Sequence, residues 1–152
     1  MKILYGKLIK EVILPYLNLN KALVQKFPSF RVQLPNNVAV AKKHNDNSLG
    51  HPIGEINFTY TFTDMKNSTA ILIEKMPRMK EYVKIESEEN NIISFNANLC
   101  EHYNEINNTE KTRMSMDFRI LPLNYLPKND IRSHTSNMKF VDGGYYNLIS
   151  IK

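Results

Sequence analysis

Arg113-Met114-Ser115-Met116-Asp117-Phe118-Arg119 alternates strictly, polar at 113, 115, 117 and 119 and apolar at 114, 116 and 118. A period of two belongs to a β-strand, whose successive side chains point to opposite faces. Glu55-Ile56-Asn57-Phe58-Thr59-Tyr60-Thr61-Phe62 repeats the pattern, with Ile56, Phe58, Tyr60 and Phe62 on one face and Glu55, Asn57, Thr59 and Thr61 on the other. Two readings of the polar faces are open. In an ordinary antiparallel sheet they meet solvent, whereas between two sheets packed face to face they line a polar cavity.

Outward from these two runs the chain continues as short segments rich in Val, Ile, Thr, Phe and Tyr, punctuated by Pro, Asn, Gly and Asp. Strands are expected at Phe30–Leu34, Val38–His44, Glu55–Thr63, Thr69–Met76, Glu81–Glu86, Asn91–Asn96, Leu99–Glu105 and Thr112–Leu121. Short strands with turn signals between most of them and no helical insert predict a mainly β fold, a jelly roll over residues 30–121. Ahead of it Leu8, Ile9, Val12, Ile13 and Leu17, then Leu23 and Val24, recur at helical spacing. Residues 1–29 are therefore expected as a short helical lead-in, divided by Pro15. Residues 122–152, with Pro122, Pro127 and Gly143-Gly144, read as an irregular wrap carrying at most an edge strand.

The 152 residues, 42% hydrophobic and 23% charged, suffice for one domain with a sizeable core and not for two. A net charge of +5 is compatible with an anionic partner. Nucleic acid is not expected, because Phe58, Tyr60 and Phe62 lack the interleaved Lys and Arg of a strand face that stacks bases. The single cysteine, Cys100, excludes an internal disulfide and a multi-cysteine zinc site and fits a reducing compartment. No long apolar run is present, so a soluble, cytoplasmic protein without a membrane partner is expected. The oligomeric state is left open.

Four histidines remain, His44, His51, His102 and His134. In His44-Asn45-Asp46 an imidazole and a carboxylate two residues apart project to one side of a strand end. A second imidazole from a distant strand, His102, can complete a two-His-one-carboxylate set that holds Fe(II) and leaves the opposite coordination face open. By itself H-x-D is a weak motif, and a surface histidine in a Lys-rich loop explains His44 as simply. His51 and Glu55 read as loop-ordering residues, Cys100 as a buried inert thiol and His134 as a surface residue. Asp117 and Arg119 are expected to pair with each other or with facing strands, and Tyr145 and Tyr146 to pack the tail on the core.

Arg31-Val32-Gln33-Leu34-Pro35, His44-Asn45-Asp46, Gly50 through Asn57, and His102 through Arg119 together resemble the Fe(II)- and 2-oxoglutarate-dependent oxygenases with a double-stranded β-helix, cupin-like core. The pattern is most similar to the phytanoyl-CoA hydroxylase-like branch and, within it, to the streptomycin-biosynthesis hydroxylase type, over residues 28–123. That resemblance implies that His44, Asp46 and His102 bind Fe(II) as the catalytic centre. Arg113 would pair with the distal carboxylate of 2-oxoglutarate through its planar fork, Ser115 would add a hydroxyl, and Asn57 would contact co-substrate or substrate. It further implies that O2 and a small-molecule substrate meet there, giving hydroxylation with release of succinate and CO2. The alternative is a non-catalytic jelly-roll binding or structural module with an unused metal site. Family members carry a longer lid-forming segment between the fourth and fifth strands, where this chain has only Pro77-Arg78-Met79-Lys80. A lid is then expected from the amino-terminal helices, the carboxy-terminal tail or Asn45–Pro52. Lys42, Lys43, Arg78, Lys80 and Lys111 read as a solvated basic face rather than an anion site.

Overall fold

The computed structural model describes residues 2–39 and 42–151. A helical lead-in, α1 (Lys2–Leu8), runs through a wider π turn at Ile9–Ile13 into α2 (Leu14–Tyr16). Nine strands follow among the described residues: β1 (Lys21–Gln25), β2 (Ser29–Gln33), β3 (Ile56–Thr61), β4 (Ile71–Glu74), β5 (Tyr82–Ile85), β6 (Ile92–Phe95), β7 (His102–Asn104), β8 (Arg113–Leu121) and β9 (Tyr146–Ser150). The larger sheet has the order β6-β3-β8-β1-β9, with β2 also paired to β8, and the smaller is β5-β4-β7; all pairings are antiparallel. This is a mainly β jelly roll.

Four expectations are corrected. Pro15 does not divide the lead-in, because the preceding π turn has already shifted the hydrogen-bond register and the missing proline N–H interrupts nothing. The helix instead ends at Asn18, which takes a left-handed φ of 54°. Leu23 and Val24 are not helical: β1 lies between β8 and β9, paired to both, and sheet pairing overrides a short helical spacing. The expected strand Val38–His44 is absent over its described residues, Val40 and Ala41 lying outside them; what remains is a single bridge between His44 and His102. The tail supplies β9, so the jelly roll draws on both ends of the chain rather than on residues 30–121 alone.

The alternation in β3 and β8 is resolved in favour of the cavity, and in an inverted sense. Of the polar set, Asn57, Thr59, Thr61, Arg113 and Ser115 are buried and Asp117 and Arg119 half-buried, on the face turned toward the smaller sheet. Phe58, Met116, Phe118 and Ile120, the apolar set, point away from it and pack under the helix on Ile9, Ile13 and Leu14, with Ala22 and Val24 of β1. Phe58 and Phe118 stack at 5.3 Å and Tyr5 meets Phe118 edge-on at 5.7 Å. That outer face also carries Phe30, Val32, Met114 and Phe62 exposed, Phe30 and Phe62 lining an apolar groove with Leu4, Tyr5 and Leu8 of the helix. A second apolar cluster of Leu23, Leu121, Phe140, Tyr145 and Tyr146 ties the tail to the sheet, the packing role expected of the two tyrosines.

Candidate metal centre

His44 and His102, 58 residues apart in the chain, meet at the edge of the smaller sheet. His102 opens β7 in the smaller sheet, and His44 reaches it through reciprocal backbone hydrogen bonds, His102 N–H to His44 O at 2.8 Å and His44 N–H to His102 O at 3.3 Å. Asp46 follows as the first residue of a 3-10 turn, Asp46–Leu49. Asn45 caps that turn by accepting the Ser48 amide at 2.8 Å, and Gly50, at φ 88°, closes it. The Asp46 amide is anchored on Ala97 O at 2.9 Å, which fixes the carboxylate between the sheets.

One ligand-capable atom from each of His44, Asp46 and His102 lies within 4.8 Å of the others. The orientation of both rings is set from behind. His44 Nδ1 lies 2.8 Å from Lys42 O and His102 Nδ1 lies 3.2 Å from Cys100 O. A ring nitrogen against a carbonyl must carry the proton, so both Nε2 atoms keep their lone pairs for a cation. Burial lowers the His102 pKa, outweighing the upward pull of Asp46, and favours the neutral form that can ligate. Burial alone would raise the Asp46 carboxyl; Arg119, His102 and His51 outweigh it and hold the group below the usual carboxylate range.

Arg113 projects from β8 into the inner chamber, about 40 Å³, that His44, Asp46, His102 and Asn57 line. Arg113 is 2% exposed, and among the described residues it has no carboxylate in ion-pair contact. One terminal nitrogen lies against the thioether of Met65 at 2.9 Å, while Nε has no partner. The Ser115 hydroxyl beside it on the same strand face is equally unpartnered. A buried guanidinium without an anion is costly, and a carboxylate is the group that would satisfy both. Asn57 also holds Asp46: its Nδ2 donates to Asp46 Oδ2 at 2.7 Å, while its Oδ1 is unpartnered in the chamber.

Arg119 and Asp117 do not pair with each other. Arg119 donates to Asp46, and Asp117 accepts from Arg31 Nε at 2.9 Å and from Thr59 Oγ1 at 2.8 Å. The parity of the strand signalled both, since they share the face of Arg113. Behind Asp46 the buried pair His51 Nδ1 and Glu55 Oε2, 2.8 Å apart, orders the loop, and the Tyr146 hydroxyl donates to the other Glu55 oxygen. Gly54, at φ 96°, turns the chain into this arrangement. Cys100 is buried and contributes its carbonyl rather than its thiol. His134 is exposed. Lys43 lies over the rings of Tyr82 and Tyr103 at 3.9 and 4.5 Å, and Lys80 pairs with Glu101 at 2.7 Å, so part of the basic face is engaged on the surface.

A second chamber of about 360 Å³ opens outward from His44, Asp46 and Arg119. Its walls are Gln25, Phe27 and Arg31 on one side and Leu49, Thr135, Met138 and Tyr145 on the other. The tail and the 45–52 loop therefore enclose it; the amino-terminal helix packs on the opposite face of the sheet and cannot act as a lid.

Streptomycin biosynthesis protein StrG of Streptomyces griseus is 33% identical to this chain over 126 residues, which are 83% of this chain and 60% of that protein. No family model matches. Solved structures share the fold. The non-heme alpha-ketoglutarate-dependent carbocyclase SnoK from nogalamycin biosynthesis aligns at TM-score 0.59 and 12% identity, over 85% of this chain and 63% of that one. AviO1 from Streptomyces viridochromogenes Tue57 aligns at TM-score 0.59 and 12% identity, over 83% and 62%. The chain thus spans about three-fifths of the length of each protein it resembles. No helix among the described residues is long and apolar enough to cross a membrane.

Proposed function

We propose that the protein is an Fe(II)- and 2-oxoglutarate-dependent oxygenase that hydroxylates a small-molecule substrate in the cytoplasm. The observation that carries this reading is the buried Arg113, without an ion-pair partner among the described residues, in the chamber lined by the His44, Asp46 and His102 set, with the unpartnered Ser115 hydroxyl beside it on the same strand face. Two imidazoles and one carboxylate suit Fe(II), and an orphaned guanidinium beside a free hydroxyl suits one end of a diacid. The similarity to StrG and the shared fold with SnoK, whose name records alpha-ketoglutarate dependence, support the same reading.

In this reading His44 Nε2, Asp46 Oδ1 and His102 Nε2 hold the metal, and Arg113 with Ser115 hold the distal carboxylate of 2-oxoglutarate. Bound together with O2, iron and 2-oxoglutarate supply an oxidant at the cost of decarboxylation to succinate and CO2. The protein's own part is binding and exclusion. Asn57 and Arg119 hold Asp46, Lys42 O and Cys100 O keep both imidazoles in the ligating tautomer, and the tail walls the outer chamber, where a small substrate would sit facing His44. The inner chamber has room for about one small group, so a five-carbon diacid reaching from Arg113 to the triad requires its walls to part.

Anaerobic titration with Fe(II) and 2-oxoglutarate tests the proposal. A weak visible charge-transfer band that needs both components, with succinate release on admitting air and a substrate pool, is the expected result. A folded, iron-loaded sample without the band would leave a non-catalytic jelly-roll module instead.

A further inference from the structure

Neither the spacing of the histidines nor the family resemblance assigns a role to Arg119, yet its side chain converges on Asp46 in an unusual way. Nε and one terminal nitrogen both donate to the same carboxylate oxygen, Oδ2, at 2.9 and 2.8 Å. An arginine that only neutralises a carboxylate commonly meets its two oxygens with two parallel hydrogen bonds. Asn57 Nδ2 brings a third donor to that same oxygen, at 2.7 Å. Oδ2 is then saturated. Oδ1 is the oxygen turned toward the histidines, 3.7 Å from His44 Nε2.

We infer that Arg119 is a positioning residue that fixes Asp46 so that a divalent cation is taken through Oδ1 alone. The inference rests on the metal reading above. Two imidazoles and a one-oxygen carboxylate occupy one face of an octahedron and leave the opposite face free. A carboxylate able to turn would chelate through both oxygens and take one of those free positions away. Arg119 is itself aimed from the far side: its other terminal nitrogen donates to Gln25 Oε1 at 3.3 Å and to the Tyr145 hydroxyl at 3.2 Å, and Glu55 Oε2 stands 3.7 Å from Nε. Strand β1 and the carboxy-terminal tail thereby bear on the denticity of a ligand they do not touch.

Titration with Co(II), an air-stable stand-in for Fe(II) whose absorption reports its coordination, tests this without turnover. Arg119→Gln is expected to weaken Co(II) binding by about 10–100-fold and to change the visible spectrum. Arg119→Lys, which keeps the charge but loses the fork, recovers part of the affinity and not the parental spectrum. Thermal unfolding of the same samples gives the folded fraction. Parental Co(II) affinity and spectrum in a folded Arg119→Gln protein, or in Arg119→Lys should the glutamine variant not fold, overturn the inference while leaving the metal site standing. A parental chain that takes up no Co(II) overturns the metal reading and this inference with it.

Discussion

His44 and His102 are joined through their backbones independently of any metal, the amide of each bonded to the carbonyl of the other across a two-residue antiparallel bridge. Their rings stand 4.6 Å apart, centre to centre. Reciprocal pairing of this kind fixes both Cα positions, so two ligands far apart in the chain are preorganised by the fold.

Because the bridge uses only backbone atoms, His102→Ala leaves it intact. Circular dichroism is expected to be unchanged while affinity for Co(II) or Fe(II) falls at least about 100-fold, the loss of one of three ligands exceeding that of an outer partner. Succinate formation near the parental rate in this variant would remove His102 from the ligand set.

Arg113 sets function against stability. Burial lowers the pKa of its guanidinium, the mark of an uncompensated charge. Arg113→Met is expected to leave the thermal midpoint unchanged or raise it, since a well-packed apolar side chain often replaces a buried charge at no loss. The same variant should lose the rise in midpoint that 2-oxoglutarate gives the parental protein. Arg113→Lys, with one contact for two, should raise the apparent KM for 2-oxoglutarate by about tenfold. A lower midpoint for Arg113→Met with 2-oxoglutarate stabilisation retained would place the co-substrate elsewhere.

Acid should act on the metal-free protein in two steps. His102 is held below its ordinary 6.5, chiefly by burial, so the unfolded chain takes up that proton first. Its contribution to stability is complete above 6.5 and is lost as pH falls through the lower native value. Asp46 lies below its ordinary 3.8, burial being outweighed by Arg119 and the neighbouring imidazoles, so its contribution is present above 3.8 and is lost in stronger acid. Urea midpoints measured between about pH 7.5 and 5 should fall on acidification, and His102→Gln should flatten that fall. Identical slopes for the two proteins would show that His102 is not the group responsible.

Gly54 is the position where a single methyl group should do the most harm. Its φ is 96°, and a Cβ there would lie 2.3 Å from the Tyr125 ring. Gly54→Ala is expected to cost more than about 1 kcal/mol, from the backbone alone and before the clash is counted. Tyr125→Ala in the same chain should recover the ring part of the clash, its own Cβ still lying 2.8 Å away, and not the backbone part. Chemical denaturation of the single and double variants separates the two.

The site was more legible in the sequence than the scaffold around it. His44, Asp46, His102 and Arg113 fall in one cavity, with Ser115 buried on the same face of β8, because parity along β8 and the H-x-D spacing are local properties that a strand preserves. Asn57 was placed on the correct face but its partner, Asp46, was not foreseeable, since that contact depends on how the 45–52 loop returns over β3. Arg119 was visible as a fourth polar residue on the β8 face, and only the fold showed which carboxylate it would choose. Strand β1 was hidden because Leu23 and Val24 happen to continue the spacing of the preceding helix. The expected strand before His44 was misread from β-branched composition, which says nothing about whether a pairing partner is available.

Polar residues inward and apolar residues outward along the same two strands separate two kinds of mutational consequence by odd and even number. In β8, odd-numbered substitutions from 113 to 119 alter what the inner face can hold, while those at 116, 118 and 120 alter how firmly the sheet grips its helix. A scan along this one strand should therefore oscillate, activity and thermal midpoint falling at alternate positions. Binding specificity could in that case be reshaped through one set of side chains while the other goes on holding the scaffold together.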